Sequence, residues 1–252
     1  MDRRVYKQLR EIEETHWWFR GRRKILRAAI DQAGIRAKSI LEVGCGAGTN
    51  LDLLNELQSD SFISGIDIEL EPLRFCVEDR SVPVCQADFN HLPFAASTFD
   101  MVTALDALEH VKDDQAALAE MHRVCRPKGA ILITVPAFPF LWGNVDVIGH
   151  HYRRYGKREL TEKVTHAGFS IHFVRFFNYL LFPPIAAVRL LARLVHHHAS
   201  PSENTVRSDF DLVKSGPLNA LLAAIFSMEA SMLRVVPPFG VSLLCVAVRR
   251  PH

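Results

Sequence analysis

From Ser39 to Val135 the chain alternates short apolar runs with segments of helical spacing, and this alternation restricts the fold more than any other feature. The apolar runs are Ser39–Val43, Phe62–Ile68, Val82–Ala87, Phe99–Ala104 and Ala130–Val135. Strands that alternate with helices usually pair in parallel, because each helix carries the chain back across one face of the sheet. The pattern therefore predicts an α/β fold with a parallel sheet and helices on both faces.

Two further strands are predicted beyond this alternation, at Ser170–Phe177 and Gly240–Arg249. The second alternates enough to run antiparallel at the end of the sheet. A short hairpin would join them in the simplest sheet of this kind, so the intervening residues 178–239 are predicted to form an inserted helical cap. The polar middle of this cap, residues 196–211, is expected to be a loop. Its histidines are interpreted as a solvated helix end in preference to a metal site.

The predicted domain organisation has four parts: an N-terminal helical lid at 1–37, a core at 38–177, the cap at 178–239 and a last strand at 240–252. Two interpretations of the first part remain open. Aromatic residues such as Trp17 and Trp18 lie among arginines at a helical spacing, which fits a helix packed on the domain edge as well as a lid over a ligand.

Charge and cysteine content narrow the classes of partner and compartment. The formal net charge is only +2, too small for backbone electrostatics to dominate nucleic-acid binding, so DNA is excluded and RNA is disfavoured. Five cysteines without regular spacing and no apolar segment at the N-terminus indicate free thiols and a cytoplasmic location. Charges and prolines interrupt both apolar stretches of the cap, which argues against a membrane-spanning helix.

A glycine-rich turn is the first candidate binding site. The first strand ends in Glu42 and leads into Gly44, Cys45, Gly46 and Gly48, after which a helix begins near Thr49. Glycines at such a turn let the backbone bend sharply and approach a ligand closely. A nicotinamide enzyme usually has Gly-x-Gly-x-x-Gly here, whereas these glycines alternate strictly.

The ends of the next strands supply further candidates. Asp67 closes the second strand and can accept hydrogen bonds from two ribose hydroxyls, with Ile68 beside it. After the third strand, Asp88 can accept a bond from an adenine amino group and Phe89 can pack on the ring. Leu105, at the end of the fourth strand, completes the predicted cofactor-binding set.

These pieces in this order resemble class I S-adenosylmethionine-dependent methyltransferases, over roughly Lys38–Val135, and in particular the methyltransferase-11 or ubiquinone-pathway-like subgroup. The resemblance implies a Rossmann-like, mostly parallel sheet of seven strands and S-adenosylmethionine as the cofactor. It also implies that the glycine loop backs the amino-acid part of the cofactor, that Glu42 orients the loop and the cofactor amine, and that Asp67 holds the ribose.

The acceptor side is predicted at the end of the fourth strand, where His110 is the first candidate for a general base. A structural role for this histidine remains open. Asp106, Glu109 and His110 also resemble the metal-binding segment of some O-methyltransferases, with His151 as the fourth ligand. A site without a metal is favoured, and His110 and His151 are the candidate catalytic residues.

Arg153 and Arg154 lie between two tyrosines, and this group fits either an anion-binding site or a surface loop held by salt bridges. The expected function is methyl transfer from S-adenosylmethionine to an oxygen of a small or lipid-linked acceptor, with membrane-surface contact through the cap. An RNA 2′-O-methyltransferase and a non-catalytic cofactor-binding subunit remain alternatives. The sequence leaves the oligomeric state open.

Overall fold

The structure, a computed structural model that describes residues 12–79, 82–196 and 215–251, is built on one sheet of seven strands. The strand order is β3-β2-β1-β4-β5-β7-β6; β7 pairs antiparallel with both β5 and β6, and the other four pairs of neighbouring strands are parallel. The strands are β1 (Ser39–Val43), β2 (Phe62–Asp67), β3 (Val84–Gln86), β4 (Phe99–Leu105), β5 (Cys125–Pro136), β6 (Phe169–Phe177) and β7 (Ser242–Arg249). The predicted α/β fold, Rossmann-like and mostly parallel, is confirmed.

Helices cover both faces of the sheet. They are α1 (Trp17–Ala33), α2 (Thr49–Leu57), α3 (Leu70–Asp79), α4 (Asp114–Val124), α5 (Asn144–Ile148), α6 (Lys157–His166), α7 (Phe182–His196) and α8 (Gly216–Met228). Helices α1, α2, α3 and α8 share one apolar core with the sheet, whereas α4 and α6 share a second core on the other face. This layering follows from right-handed crossovers between parallel strands.

One local expectation is wrong. The predicted last strand is not at the end of the sheet, since β7 lies between β5 and β6, and nearly all of its residues are buried. Residues 126–129 form a bulge inside β5, where Lys128 has a φ of +67°. Four residues of β5, 126–129, lie opposite the single residue Asp100 of β4, between the pairs Phe99–Cys125 and Met101–Ala130.

Helix α1 is held against α8, far along the chain. The Trp17 amide donates to Asn219 Oδ1 (2.8 Å), and Asn219 Nδ2 donates to the Thr15 carbonyl (3.0 Å). A Cβ at Gly21 would lie 2.1 Å from the Phe226 ring. The two helices therefore cross at a distance that only glycine permits at this position.

The cap predicted at 178–239 contributes α7 and α8 to the described part of the chain. Its polar middle lies largely outside the described residues, as do His197 and His198 of the histidine run. Among the residues that the structure describes, no helix is both long and apolar enough to span a membrane.

Candidate functional site

The glycine loop leaves β1 in a conformation that side chains rarely adopt. Gly44, Gly46 and Gly48 have φ values of +75°, +52° and +90°, the left-handed region that favours glycine. A Cβ at Gly44 would lie 2.6 Å from the Ala107 Cβ, whereas one at Gly46 would meet no atom within 4 Å. The loop is therefore tightly packed at Gly44 and open at Gly46.

Asp67, at the end of β2, fixes the loop. Its Oδ2 accepts from the Gly46 amide (2.8 Å), and its Oδ1 accepts from the Glu69 amide (2.9 Å). A carboxylate has about four acceptor positions, so Asp67 can bind the loop and still accept bonds from a ligand. This location fits the predicted ribose contact, with the added role of shaping the turn.

Glu42 is fully buried at the end of β1, beneath the loop. It accepts hydrogen bonds from the Thr103 hydroxyl and from Asn50 Nδ2, the latter at 3.1 Å. Burial raises the pKa of Glu42 to about 7, although both hydrogen bonds oppose the shift. The carboxyl is therefore poised between its neutral and charged forms near neutral pH.

The other predicted cofactor residues differ in accessibility. Asp88 and Ile68 are exposed, and Asp88 Oδ1 accepts from the Asn90 amide at 2.8 Å. Phe89 and Leu105 are buried, Phe89 within the core that contains α4, so its ring is not displayed for stacking. Cys45 is also buried, and a hydrogen bond with Cys76, followed by burial, raises the pKa of its thiol, which indicates a packing role for a neutral thiol.

A charge pair that the sequence analysis did not anticipate lies over the same loop. Arg22 of α1 is almost completely buried, and its Nε lies 2.7 Å from Oδ2 of Asp106. Arg22 Nη1 also donates to Asn50 Oδ1 at 3.1 Å. The sequence showed several arginines in the segment that forms α1, but no local pattern distinguished Arg22 from its neighbours.

His110 and His151 come together although forty residues of sequence lie between them. Their rings meet edge to face, with centroids 4.6 Å apart. Loss of solvation, followed by the neighbouring His151, lowers the pKa of His110, and its side chain is still reached by solvent. A neutral, accessible imidazole is suited to accept a proton.

Asp146 orients His151 and was not identified from the sequence. This fully buried carboxylate lies 2.9 Å from His151 Nδ1 and also accepts from Arg154 Nε (2.8 Å) and the Gly143 amide (2.7 Å). These bonds outweigh burial and lower the pKa of Asp146. The carboxylate stays charged and holds one nitrogen of His151, which leaves the other available.

The predicted metal ligands are only partly assembled. One donor atom from each of Glu109, His110 and His151 lies within 4.8 Å of the others, so these three could hold a cation. Burial, followed by the nearby Asp106, raises the pKa of Glu109 well above its usual range. The fourth predicted ligand, Asp106, is instead ion-paired with Arg22, which weakens the case for a cation held by all four.

The segment with Arg153 and Arg154 is held by internal ion pairs. Arg153 Nη1 lies 3.1 Å from Asp114 Oδ2, and Arg154 is buried with its Nε on Asp146. The Tyr155 hydroxyl donates to Asp114 Oδ2 (2.9 Å). Both guanidinium groups thus have carboxylate partners within the protein, which favours the structural interpretation over an anion site.

Comparison with known proteins places this geometry in context. Residues 41–133 match the family described as a methyltransferase domain. A protein of Mycolicibacterium smegmatis described as a probable S-adenosylmethionine-dependent methyltransferase is 27% identical, over 64% of this chain and 62% of its own length. A demethylmenaquinone methyltransferase of Corynebacterium urealyticum is 33% identical, over 59% of this chain and 58% of its own. The chain thus spans about three fifths of the length of these two relatives.

One solved structure shows the same fold over nearly the whole chain. It is the methyltransferase in a Haloferax volcanii complex with the Trm112 methyltransferase activator, with a TM-score of 0.63, 19% sequence identity and coverage of 98% of this chain and 95% of that one. At this identity the likeness concerns the fold alone.

Proposed function

We propose, from the match of residues 41–133 to the methyltransferase-domain family, that the chain binds S-adenosylmethionine and transfers its methyl group to an oxygen of a small or lipid-linked acceptor. The observation that carries the oxygen preference is the neutral His110 beside His151, itself held by Asp146. His110 follows β4 and His151 follows α5. The glycine loop likewise follows the carboxyl end of β1, and ligands of open α/β sheets bind beyond the carboxyl ends of the strands.

The chain's own residues have a positioning task. The sulfonium of S-adenosylmethionine is already an activated electrophile, so the protein mainly aligns donor and acceptor. Asp67 and the open backbone at Gly46 hold the cofactor on the loop. His110 accepts the proton of the acceptor hydroxyl as the new oxygen–carbon bond forms and the carbon–sulfur bond breaks, which leaves S-adenosylhomocysteine and a protonated imidazole.

The cap supports an acceptor with an apolar portion. Val188 and Leu191 of α7 and Leu218 and Leu221 of α8 are each more than half exposed. The relative from Corynebacterium urealyticum is described as a demethylmenaquinone methyltransferase. We propose that these exposed side chains contact the apolar part of the acceptor. They would also contact the cytoplasmic surface of a membrane.

The two alternative functions receive less support. An RNA acceptor calls for a basic surface, and the net charge of the chain is only +2. A cofactor-binding subunit without turnover would not need the oriented His151 beside an accessible His110. The proposed reaction uses no metal: Asp106, one of the four predicted ligands, is paired with Arg22.

The test begins with calorimetric titration of S-adenosylhomocysteine into the purified protein. Transfer of labelled methyl from S-adenosylmethionine to hydroxylated quinone precursors with and without an isoprenoid tail follows, using wild type and His110→Gln. We expect cofactor binding by both proteins and label transfer to the tailed acceptor by the wild type alone. Absence of binding would refute the proposed cofactor, and label on carbon or nitrogen would refute the oxygen acceptor.

A further inference from the structure

A group of buried polar side chains lies where the turn after β6 meets the end of α8. It consists of Asn178 and Tyr179, which follow β6, and Glu229, which follows α8. All three residues are at least nine-tenths buried. None of them takes part in the proposed methyl transfer, so their burial calls for a separate explanation.

The hydrogen bonds of this group are incomplete. Glu229 Oε1 accepts from the Leu180 amide (2.8 Å), and the amides of Asn178 and Tyr179 also donate to the carboxyl group. Within the part of the chain that the structure describes, Glu229 Oε2, both polar atoms of the Asn178 side chain and the Tyr179 hydroxyl have no partner. Buried polar atoms without partners are rare and costly, and four of them in one place indicate a ligand.

The charge of Glu229 is also without a counterpart. Five carboxylic acids are buried in the described residues: Glu42, Glu109, Asp114, Asp146 and Glu229. A basic side chain acts on each of the first four, through an ion pair or at longer range. Burial raises the pKa of Glu229 to about 7, opposed by three backbone amides and by no basic side chain of the described residues. Glu229 therefore lacks the cation that the other buried acids have.

The surroundings of the group are apolar and open to solvent. Leu180, Met228 and Met232 adjoin the three residues in the chain, and each is more than a third exposed. The Met232 amide donates to the Glu229 carbonyl (3.0 Å), so the chain turns back around the acid. The polar group thus lies next to an apolar part of the surface.

The group is separate from the reaction centre. Strand β6 runs parallel to β5, since both are antiparallel to β7, so Asn178 lies at the same edge of the sheet as the glycine loop. Three strand spacings, about 14 Å, separate β6 from β4, and His110 follows β4. A ligand at Glu229 would therefore not occupy the place of the acceptor hydroxyl.

We propose that Asn178, Tyr179 and Glu229 bind the ammonium end of an amphipathic primary amine, whose hydrocarbon part lies on the apolar surface beside them. A primary ammonium has three N–H donors and no acceptor. The three residues offer it three oxygens without partners: Glu229 Oε2, Asn178 Oδ1 and the Tyr179 hydroxyl oxygen. Its positive charge supplies the cation that a buried carboxylate needs.

Two sources of amine share this chemistry: a free alkylamine and the head group of an aminophospholipid. The Asn178 amide nitrogen is a further donor without a partner in the described residues. It would meet a phosphate oxygen of the lipid but no group of the alkylamine. The same side chains therefore bind either source through the ammonium, and the relative affinities tell the two apart.

The experiment measures binding to the purified protein by calorimetry at pH 8, where hexylamine is protonated and the Glu229 carboxyl is mostly ionised. The three probes are hexylamine, hexyltrimethylammonium and hexan-1-ol. We expect hexylamine to bind about tenfold more tightly than the other two, because one lacks N–H donors and the other lacks the charge.

Glu229→Gln should weaken hexylamine binding about tenfold or more, and Tyr179→Phe about threefold, from the loss of a charged and a neutral hydrogen bond. Asp114→Asn is the matched control, since Asp114 is also buried but has basic partners, and it should bind like the wild type. Hexylamine should raise the Tm of the wild type and of Asp114→Asn but not that of Glu229→Gln.

Dihexanoyl phosphatidylethanolamine, with dihexanoyl phosphatidylcholine as its control without N–H donors, identifies the source of the amine. Tighter binding of the ethanolamine lipid than of hexylamine assigns a lipid head group, and weaker binding assigns a free amine. Equal affinity of the wild type and Glu229→Gln for hexylamine, equal binding of hexylamine and hexan-1-ol, or no binding of any amine would overturn the inference. These ligands contain no part of the cofactor, so the result does not depend on the proposed methyl transfer.

Discussion

The rings of His110 and His151 meet edge to face with centroids 4.6 Å apart, although one follows β4 and the other follows α5. Asp146 lies behind His151 at 2.9 Å from Nδ1. A histidine oriented by a carboxylate and placed against a second histidine is an arrangement that proton transfer can use. Its chemical meaning can be tested through the pH dependence of the reaction.

The rate should depend on pH through His110. Because loss of solvation and His151 lower its pKa below the usual value of about 6.5, the base is neutral at neutral pH. We expect kcat to be level near pH 7 and to fall only below about pH 6.5 as His110 becomes protonated. In His110→Gln this acidic limb should vanish along with most of the activity. A rising limb centred near pH 9 would contradict a histidine base.

Asp146→Asn should lower kcat with little change in KM, by about tenfold or more, because His151 loses its charged partner. Asp114→Asn is the matched control, since Asp114 is also buried and ion-paired but binds Arg153 and Lys163 rather than a histidine. Thermal melting should show that both variants lose stability. If Asp114→Asn reduced kcat as strongly, the effect of Asp146 would be structural.

Gly46→Val should abolish cofactor binding while the domain remains folded. Both Gly46 (φ +52°) and Gly34 (φ +63°) would place a Cβ in open space, and Gly34 only ends α1. Each substitution should therefore cost about 1–2 kcal/mol of backbone strain. Calorimetry with S-adenosylhomocysteine should detect no binding to Gly46→Val and unaltered binding to Gly34→Val. Equal affinities would exclude the loop as the binding site.

Glu42→Gln should raise the free energy of unfolding and lower the affinity for S-adenosylhomocysteine. Burial raises the pKa of Glu42 to about 7, so the folded state holds a proton that the unfolded state releases near pH 4.5. The stability that this proton provides is present at low pH and is lost as pH rises toward 7. Glutamine cannot ionise, and it should raise the free energy of unfolding at pH 8 by about 1–3 kcal/mol, with little effect at pH 5.

Denaturant unfolding at pH 5 and pH 8 tests the predicted gain in stability, and calorimetry with S-adenosylhomocysteine tests the predicted loss of affinity. Affinity should fall about tenfold at pH 8, since the charged carboxylate orients the loop and the cofactor amine. A variant that is less stable than the wild type at pH 8 would show that the hydrogen bonds with Thr103 and Asn50 require the carboxylate.

Metal removal should leave the reaction unchanged. Glu109, His110 and His151 could together offer three ligands, but the proposed proton transfer needs His110 free of a cation. We expect the same kcat with a chelator, with Mg²⁺ and with Mn²⁺. Inactivation by the chelator and recovery with one of these ions would assign the three residues to a cation and displace His110 as the base.

Local patterns predicted the sheet well because each strand is an apolar run bounded by turn residues. They also located the loop, since three alternating glycines after a strand leave few conformations. They did not find Arg22, Asn50 or Asp146, whose roles depend on contacts across long sequence separations. Phe89 illustrates a different limit of the sequence. An aromatic side chain near the site could be predicted, but its packing in the core that contains α4 could not.

The pairing of Asn219 with the Trp17 amide and the Thr15 carbonyl has a consequence for the order of assembly. These bonds join residues about two hundred positions apart, so they form only after α8 has been synthesised. Contacts of such long range form late, because the loop they close is entropically costly. A ribosome-bound chain would thus pair β1 to β5 before α1 reaches its final position, whereas β6 must wait for β7, its neighbour in the sheet, which is made after α8.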